Sequence, residues 1–285
     1  MLYTVKNGNM EISADTFGAE LHSIKLNGKE YLWQCGDAWK RYAPVLFPFV
    51  CSPKDRTYLA KGKEYKMLAN HGFARDSEFE FLEQTENSIS FSLTDNEKTF
   101  SQYPYHFTLV VKYTIEGDSV KVENFVKNKN SDEMYFYIGA HPAFKCPLND
   151  GESFDDYYVE YSDDESYSKQ IGGIKNAFAE NGKVLNITRK LFDDDAIIVD
   201  LPNSKSVSLK NRKGNNSVTV KFPMSDCIAV WSPTADDNAE FVCLEPWSSV
   251  PTYCDDDFEN LENKPHAVSL LPNEEYRYYY SIEVK

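Results

Sequence analysis

Apolar and polar side chains alternate along most of this chain with a period of two, the pattern of strands that bury one face and solvate the other. Ser88-Ile89-Ser90-Phe91-Ser92-Leu93-Thr94 sets three apolar side chains on one face and hydroxyls on the other. From Phe107 to Ile115, the side chains of Phe107, Leu109, Val111, Tyr113 and Ile115 share a face. After Glu116-Gly117-Asp118 a second alternating run carries Val120, Val122 and Asn124, so the two predict a hairpin. The segment from Tyr276 to Val284 alternates too, with Arg277, Ser281 and Glu283 on its polar side. Asn7-Gly8 and Asn27-Gly28 each lie between a pair of strand-like runs and readily adopt the positive φ of a tight turn, and Lys61-Gly62-Lys63 and Lys213-Gly214-Asn215-Asn216 do similar work. Helical signals are scarce: Asp37 to Tyr42, Asp95 to Phe100 and Phe258 to Asn263 each predict a turn or two. No composition break, linker or repeat divides the sequence. It reads as an all-β chain, one large antiparallel β-sandwich with a few short helices, forming a single domain over residues 1–285.

Composition narrows the partners. A chain of 285 residues can bury a large core, and its 19 Tyr and 18 Phe suit pleated surfaces. The net charge of −15, with no Lys/Arg cluster, argues against nucleic acid and anionic membrane surfaces, which both require a positive footprint. Met1-Leu2-Tyr3-Thr4-Val5-Lys6 does not begin a secretory signal, and no apolar run is long enough to span a bilayer, so a cytosolic protein is expected, as a monomer or homodimer. The six cysteines, Cys35, Cys51, Cys146, Cys227, Cys243 and Cys254, lack ligand or disulfide spacing and are expected to be reduced structural residues. Asp193-Asp194-Asp195 and Asp255-Asp256-Asp257 lack the alternation and turn glycine of a calcium loop, so no metal is expected. The dinucleotide, P-loop and nucleophile-elbow motifs are absent.

Three short segments call for chemistry rather than packing. His71, in Asn70-His71-Gly72-Phe73-Ala74-Arg75, follows a strand-like run from Tyr65 to Leu68 and stands at a strand-to-turn junction. His141, in Gly139-Ala140-His141-Pro142-Ala143-Phe144, follows the apolar run Met134 to Ile138, and Pro142 takes the chain out of the ladder directly after it. Glu245 continues the apolar run Phe241-Val242-Cys243-Leu244 and is followed by Pro246 and Trp247. Burial there raises a carboxyl toward the range of a general base, and the indole beside it could hold the apolar face of a pyranose. Arg41 precedes the proline-bounded segment Ala43-Pro44-Val45-Leu46-Phe47-Pro48, and Arg75 follows His71 by four residues. His22, His106 and His266 have no such context and are assigned to structure.

In order, Ala43-Pro44-Val45-Leu46-Phe47-Pro48, His71-Gly72-Phe73-Ala74-Arg75, Gly139-Ala140-His141-Pro142-Ala143-Phe144, Leu191-Phe192-Asp193-Asp194-Asp195-Ala196 and Leu244-Glu245-Pro246-Trp247 resemble the aldose 1-epimerase family of galactose-mutarotase-like proteins, and within it the LacX-type branch. The resemblance covers nearly the whole chain and implies the family's large β-sandwich. It also implies anomer exchange on a hexose without a cofactor. His141 would be the acid at the ring oxygen, Glu245 the base at the anomeric hydroxyl, and His71 a donor to the sugar, with the imidazole and the carboxylate on opposite sides of the ring. Asp195 matches an acidic sugar-binding position. His71-Gly72-Phe73-Ala74-Arg75 is closer to the hexose-6-phosphate epimerases, which use arginines at positions similar to Arg41 and Arg75; the glycine-rich feature after their first arginine is replaced here by Tyr42-Ala43. The leading expectation is an epimerase of an unphosphorylated hexose. Alternatives are a hexose-6-phosphate epimerase and a non-catalytic carbohydrate-binding protein on the same fold.

Overall fold

Antiparallel pairing accounts for nearly all of the regular structure in the computed structural model, which describes residues 1–171, 174–234, 239–248, 260–264 and 266–285. The first four strands, Leu2–Asn7, Met10–Asp15, Leu21–Leu26 and Lys29–Glu30, form a sheet in sequence order, turning at both Asn-Gly pairs. A second sheet of fifteen strands carries most of the remaining chain, and two short two-stranded pairs complete the β-sandwich. The expected hairpin joins Phe107–Glu116 to Ser119–Asn128, from Phe107 opposite Asn128 to Glu116 opposite Ser119. Glu275–Val284 pairs on its far side. Phe107, Leu109, Val111, Tyr113 and Ile115 are all buried, as the alternation requires.

Some local expectations change. Ser88, Ser90 and Ser92 are buried although they occupy the polar face, because small hydroxyls are shaded by longer side chains opposite them such as Lys112 and Glu83. Asp95–Phe100 yields a helix over Glu97–Phe100, capped reciprocally by Asn96 and Thr99. Asp37–Tyr42 gives a turn at Asp37-Ala38 and no helix. Its backbone groups bond outward instead: Trp39 O accepts from Trp33 Nε1 at 2.9 Å and Tyr42 O from Ala143 N at 3.0 Å. Of Phe258–Asn263, Leu261–Asn263 forms a 3-10 turn, while Phe258 and Glu259 lie outside the described residues. Cys254 and Asp255-Asp256-Asp257 lie outside them as well. Cys35, Cys51, Cys146 and Cys243 are free thiols. Among the described residues, no helix is long and apolar enough to cross a membrane.

One patch of the large sheet frames the candidate site. Its strands run in the order Val45–Leu46, Gly139–Ala140, Phe241–Trp247, Cys227–Trp231 and Ile197–Asp200, with Ala143–Lys145 also paired to Phe241–Trp247. Gly139 can only be glycine: a Cβ there would lie 2.9 Å from Trp247 Cδ1.

Candidate active site

Strand register brings His141 and Glu245 together. Gly139 stands opposite Trp247 and Ala143 opposite Cys243, so the continued register places His141 across from Glu245, on the same face of the sheet. His141 Nε2 and Glu245 Oε2 are 3.1 Å apart, yet the contact lies off the hydrogen-bond direction and leaves that carboxyl oxygen without a hydrogen-bond partner. Pro142 does not take the chain out of the ladder as expected: its carbonyl accepts from Leu244 N at 3.3 Å, and Ala143–Lys145 goes on pairing with Phe241–Trp247. On the other side only the N–H that proline lacks is missing, while His141 N donates to Pro44 O at 3.1 Å and Ala143 N to Tyr42 O at 3.0 Å. The expected placement of the two groups on opposite sides of a sugar ring is therefore corrected. Cross-strand pairing sets them side by side on one wall.

Both groups are removed from water, with relative exposures of 8 % and 1 %. Burial pushes the Glu245 carboxyl well above the usual range and nearby Asp195 adds to the rise, against which the Trp247 indole acts. Burial likewise holds His141 below the ordinary imidazole range, and the positive charges of Arg75 and Arg41 lower it further. Opposed shifts in touching groups mean that the pair carries one proton near neutral pH.

His71 reaches the same place from a tight corner. His71 and Gly72 adopt φ of +63° and +73°, and a Cβ at Gly72 would fall 2.1 Å from Phe47 O. Only glycine lets the chain run against Phe47 there, where Phe47 O accepts from Phe73 N at 3.0 Å and Ala74 N at 3.1 Å. His71 Nδ1 accepts the backbone N–H of Cys51 at 3.0 Å. An acceptor at Nδ1 fixes the neutral tautomer with its proton on Nε2, in agreement with burial and His141 holding His71 well below the ordinary imidazole range. Its ring meets that of His141 edge-on at 5.6 Å.

A cavity of about 320 Å³ opens over these groups, lined by His71, Arg75, His141, Asp195, Glu245 and Trp247 together with Trp39, Cys51, Asn70, Ala196, Ile198 and Trp231. Its size lies at the small end of the roughly 300–1,000 Å³ common for small-molecule sites. Asp195 stands at the rim with φ of +100°, an uncommon backbone state for a non-glycine residue, and its Oδ1 accepts from Ala196 N at 2.9 Å. Burial raises its carboxyl above the usual range. Trp247 is only 2 % exposed, so it forms a wall more than a platform. The more accessible indoles are Trp39 and Trp231. Trp39 stacks on His141 with centroids 4.9 Å apart, and Trp231 approaches the same imidazole edge-on at 5.6 Å.

Arg41 does not reach the pocket wall. Its Nη2 donates to Asp76 Oδ1 at 2.7 Å and its Nη1 to Arg75 O at 3.3 Å, so it supports Arg75 from behind. Arg75 does line the pocket, and its buried Nε has no hydrogen-bond acceptor. Burial and the adjacent Arg41 bring its guanidinium down to about 10. The buried carboxylate of Glu20 accepts the backbone N–H groups of Tyr42 at 2.8 Å and Ala43 at 3.0 Å, pinning the segment that carries Trp39 and Pro44.

Two of the cysteines lie at the site. Cys51 is half-buried and lines the pocket. Cys243 is buried beside His141 and Glu245, and these three are the one set of three or more possible metal-binding side chains found among the described residues. His22, His106 and His266 are absent from the pocket wall, as expected, and His106 pairs with Asp95 at 2.7 Å.

Comparison with known proteins converges on one lineage. Residues 1–283 match the family model described as aldose 1-epimerase. The plasmid-encoded Protein LacX of Lactococcus lactis subsp. lactis is 35% identical over 300 residues, covering 100% of this chain and 99% of that protein. A galactose mutarotase related enzyme from Lactobacillus acidophilus superposes with a TM-score of 0.93 at 31% identity, over 100% of this chain and 97% of that one. A galactose mutarotase-like protein from Lactobacillus casei gives 0.91 at 26% identity, with 100% of both chains covered.

Proposed function

This chain belongs to the aldose 1-epimerase family, and from that membership we propose that it interconverts the α and β anomers of an unphosphorylated hexose or a closely related sugar. The observation that carries this reading is the buried His141–Glu245 pair, 3.1 Å apart at one wall of a small pocket. Anomer exchange moves protons at two oxygens, the ring oxygen and the anomeric hydroxyl, and both are bonded to C1. An acid and a base must therefore act side by side, which is how the two groups stand.

The chemistry follows from one shared proton. As the sugar enters, its anomeric hydroxyl donates to Glu245 and favours the carboxylate, while its ring oxygen accepts from His141 and favours the imidazolium. The Trp39 face stacked on His141 supports that positive charge. Proton transfer from His141 to the ring oxygen and from the anomeric hydroxyl to Glu245 breaks the C1–O bond of the ring and leaves the open-chain aldehyde. Rotation about C1–C2 presents the other carbonyl face. Closure reverses both transfers and restores the pair, so no other reactant is consumed. His71 donates through Nε2–H, Arg75 offers further donors, and Asp195 is an acceptor at the rim.

The charges around Arg75 favour a neutral sugar. Arg41 is bonded to Asp76, and Glu20 lies close enough to Arg75 to shift its titration, so the two cations are offset by two carboxyl groups within the cluster. A phosphate would have to compete with both. A purely sugar-binding role would leave the desolvated carboxyl beside an imidazole without a use, since recognition needs donors and acceptors rather than a shared proton. Saturation-transfer NMR with α-glucose, α-galactose and glucose 6-phosphate tests the proposal. It requires faster anomer exchange for a neutral hexose; acceleration confined to the phosphate ester selects the second substrate class, and acceleration of none defeats the epimerase reading.

A further inference from the structure

The pocket wall carries a donor set that anomer exchange does not use in full: His141 and Glu245 line the cavity, and Cys243 stands beside them. Cys243 and Glu245 occupy alternate positions of the strand Phe241–Trp247 and so point to one face, and His141 meets them from across the ladder. One ligand atom from each of the three lies within 4.8 Å of the others. The thiol is fully buried, Glu245 is 1 % exposed, and Glu245 Oε2 has no hydrogen-bond partner.

We propose that His141, Cys243 and Glu245 form a site for a borderline-soft divalent cation of the zinc class, with the fourth position open to the pocket. Nitrogen, sulfur and carboxylate oxygen are the three ligand types zinc takes, at roughly 2.0–2.3 Å, and in a tetrahedral site such donors stand about 3.5 Å apart. Closing the present set onto one ion requires movement of about 1 Å. Charge favours the occupied state: a dication, a thiolate, a carboxylate and a neutral imidazole sum to zero, which suits a buried position. Binding displaces the thiol proton of Cys243 and the proton shared by Glu245 and His141, and both leave to solvent. The bound ion takes the lone pairs that move protons in anomer exchange, so occupancy and turnover exclude each other. Metal binding is independent of the epimerase reading; inhibition rests on it.

Titration of the full chain with Co²⁺ reads the site directly. One equivalent should bind with the intense ligand-field bands of a four-coordinate ion and a sulfur-to-cobalt charge-transfer band, and Zn²⁺ should abolish both. Cys243→Ala should remove the charge-transfer band, Cys51→Ala should retain it, and Glu245→Gln should weaken Co²⁺ binding at least tenfold. Zn²⁺ should suppress anomer exchange by the unaltered chain, a chelator should restore it, and Cys243→Ala should need at least tenfold more Zn²⁺ for the same suppression. Absence of a charge-transfer band, its persistence in folded Cys243→Ala, or undiminished binding by Glu245→Gln overturns the proposal. The Glu245→Gln measurement decides the matter should Cys243→Ala fail to fold, and circular dichroism of each variant shows which of them are folded.

Discussion

Trp39 stacks over His141 with ring centroids 4.9 Å apart and planes inclined by 30°. The indole also stacks on Phe241 at 5.6 Å and meets Trp231 edge-on at 6.0 Å, so a loop residue far in sequence from the strands around His141 and Glu245 roofs the imidazole. Cation–π support of an imidazolium is worth about 0.5–2 kcal/mol.

Replacing Trp39 should therefore slow the acid more than it weakens the fold. Trp39→Ala is expected to lower kcat/KM for anomer exchange by roughly 2- to 30-fold, the equivalent of that cation–π range, and Trp39→Phe by less. Kinetics by saturation transfer beside thermal melts check this; equal losses in the two variants would remove the stacking argument.

The pair itself should be indispensable. Glu245→Gln and His141→Asn are each expected to reduce the rate by roughly 10² or more, the usual scale of general acid–base effects, while far-ultraviolet circular dichroism stays unchanged. Activity close to that of the unaltered chain in either variant would end its assigned role.

The acid limb of the pH–rate profile should be displaced. An isolated imidazole protonates near 6.5, whereas burial and Arg75 bring His141 to about 3. The free protein keeps a single proton on the pair well below pH 6.5, so kcat/KM should stay flat through that region and fall only in more acidic solution. An inflection at pH 6.5 would contradict this.

Stability should show the opposite shift at Glu245. Its folded-state pKa is raised, so the neutral carboxyl stabilises the fold fully below the unfolded value of 4.5, and that contribution is lost as pH rises through the folded value. Glu245→Gln keeps a neutral group at every pH. It should melt close to the unaltered chain below pH 4.5 and become the more stable of the two as pH rises, by about 1 kcal/mol or more at neutral pH. Denaturant midpoints across pH 4–8 provide the comparison.

Gly72 should tolerate no side chain. Its φ of +73° resembles the +71° of Gly62, but a Cβ at Gly62 meets nothing within 4 Å, whereas at Gly72 it meets Phe47 O at 2.1 Å. Gly62→Ala should cost about 1–2 kcal/mol for the left-handed backbone alone. Gly72→Ala should cost more than roughly 3 kcal/mol, because backbone must move, and urea titration separates the two.

Arg75 and Arg41 should behave differently. Arg75→Ala removes donors at the pocket wall and should lower kcat/KM for a neutral hexose by roughly tenfold or more. Arg41→Ala acts only through Arg75 and Asp76 and should cost less. A selective loss of glucose 6-phosphate turnover in Arg75→Ala would instead favour the phosphorylated substrate.

The strands were legible because alternation is a local signal: the hairpin from Phe107 to Asn128 needed only side-chain period and a turn glycine. His71, Arg75, His141, Asp195, Glu245 and Trp247 stood out by their short motifs, and one cavity gathers them. Trp39 and Trp231 were not visible. Trp39 sat in a stretch with helical character that becomes a turn through contacts with Trp33 and Ala143, and Trp231 ends an ordinary buried strand. The run Phe241-Val242-Cys243-Leu244-Glu245 could have hinted at Trp231, since a neighbouring apolar strand ending in tryptophan would pair with it. Arg41 looked equivalent to Arg75 because its bond to Asp76 is a tertiary fact. The side-by-side placement of His141 and Glu245 depends on strand register between distant segments, which no single stretch of sequence carries.

Glu20 belongs to the N-terminal end of the chain, ahead of every side chain that lines the cavity. Through Tyr42 and Ala43 it anchors the loop whose Pro44 carbonyl receives the His141 N–H. A chain trimmed through Glu30 would still encode every member of the pocket wall, yet the roof would lose its mooring and the imidazole its fixed bearing.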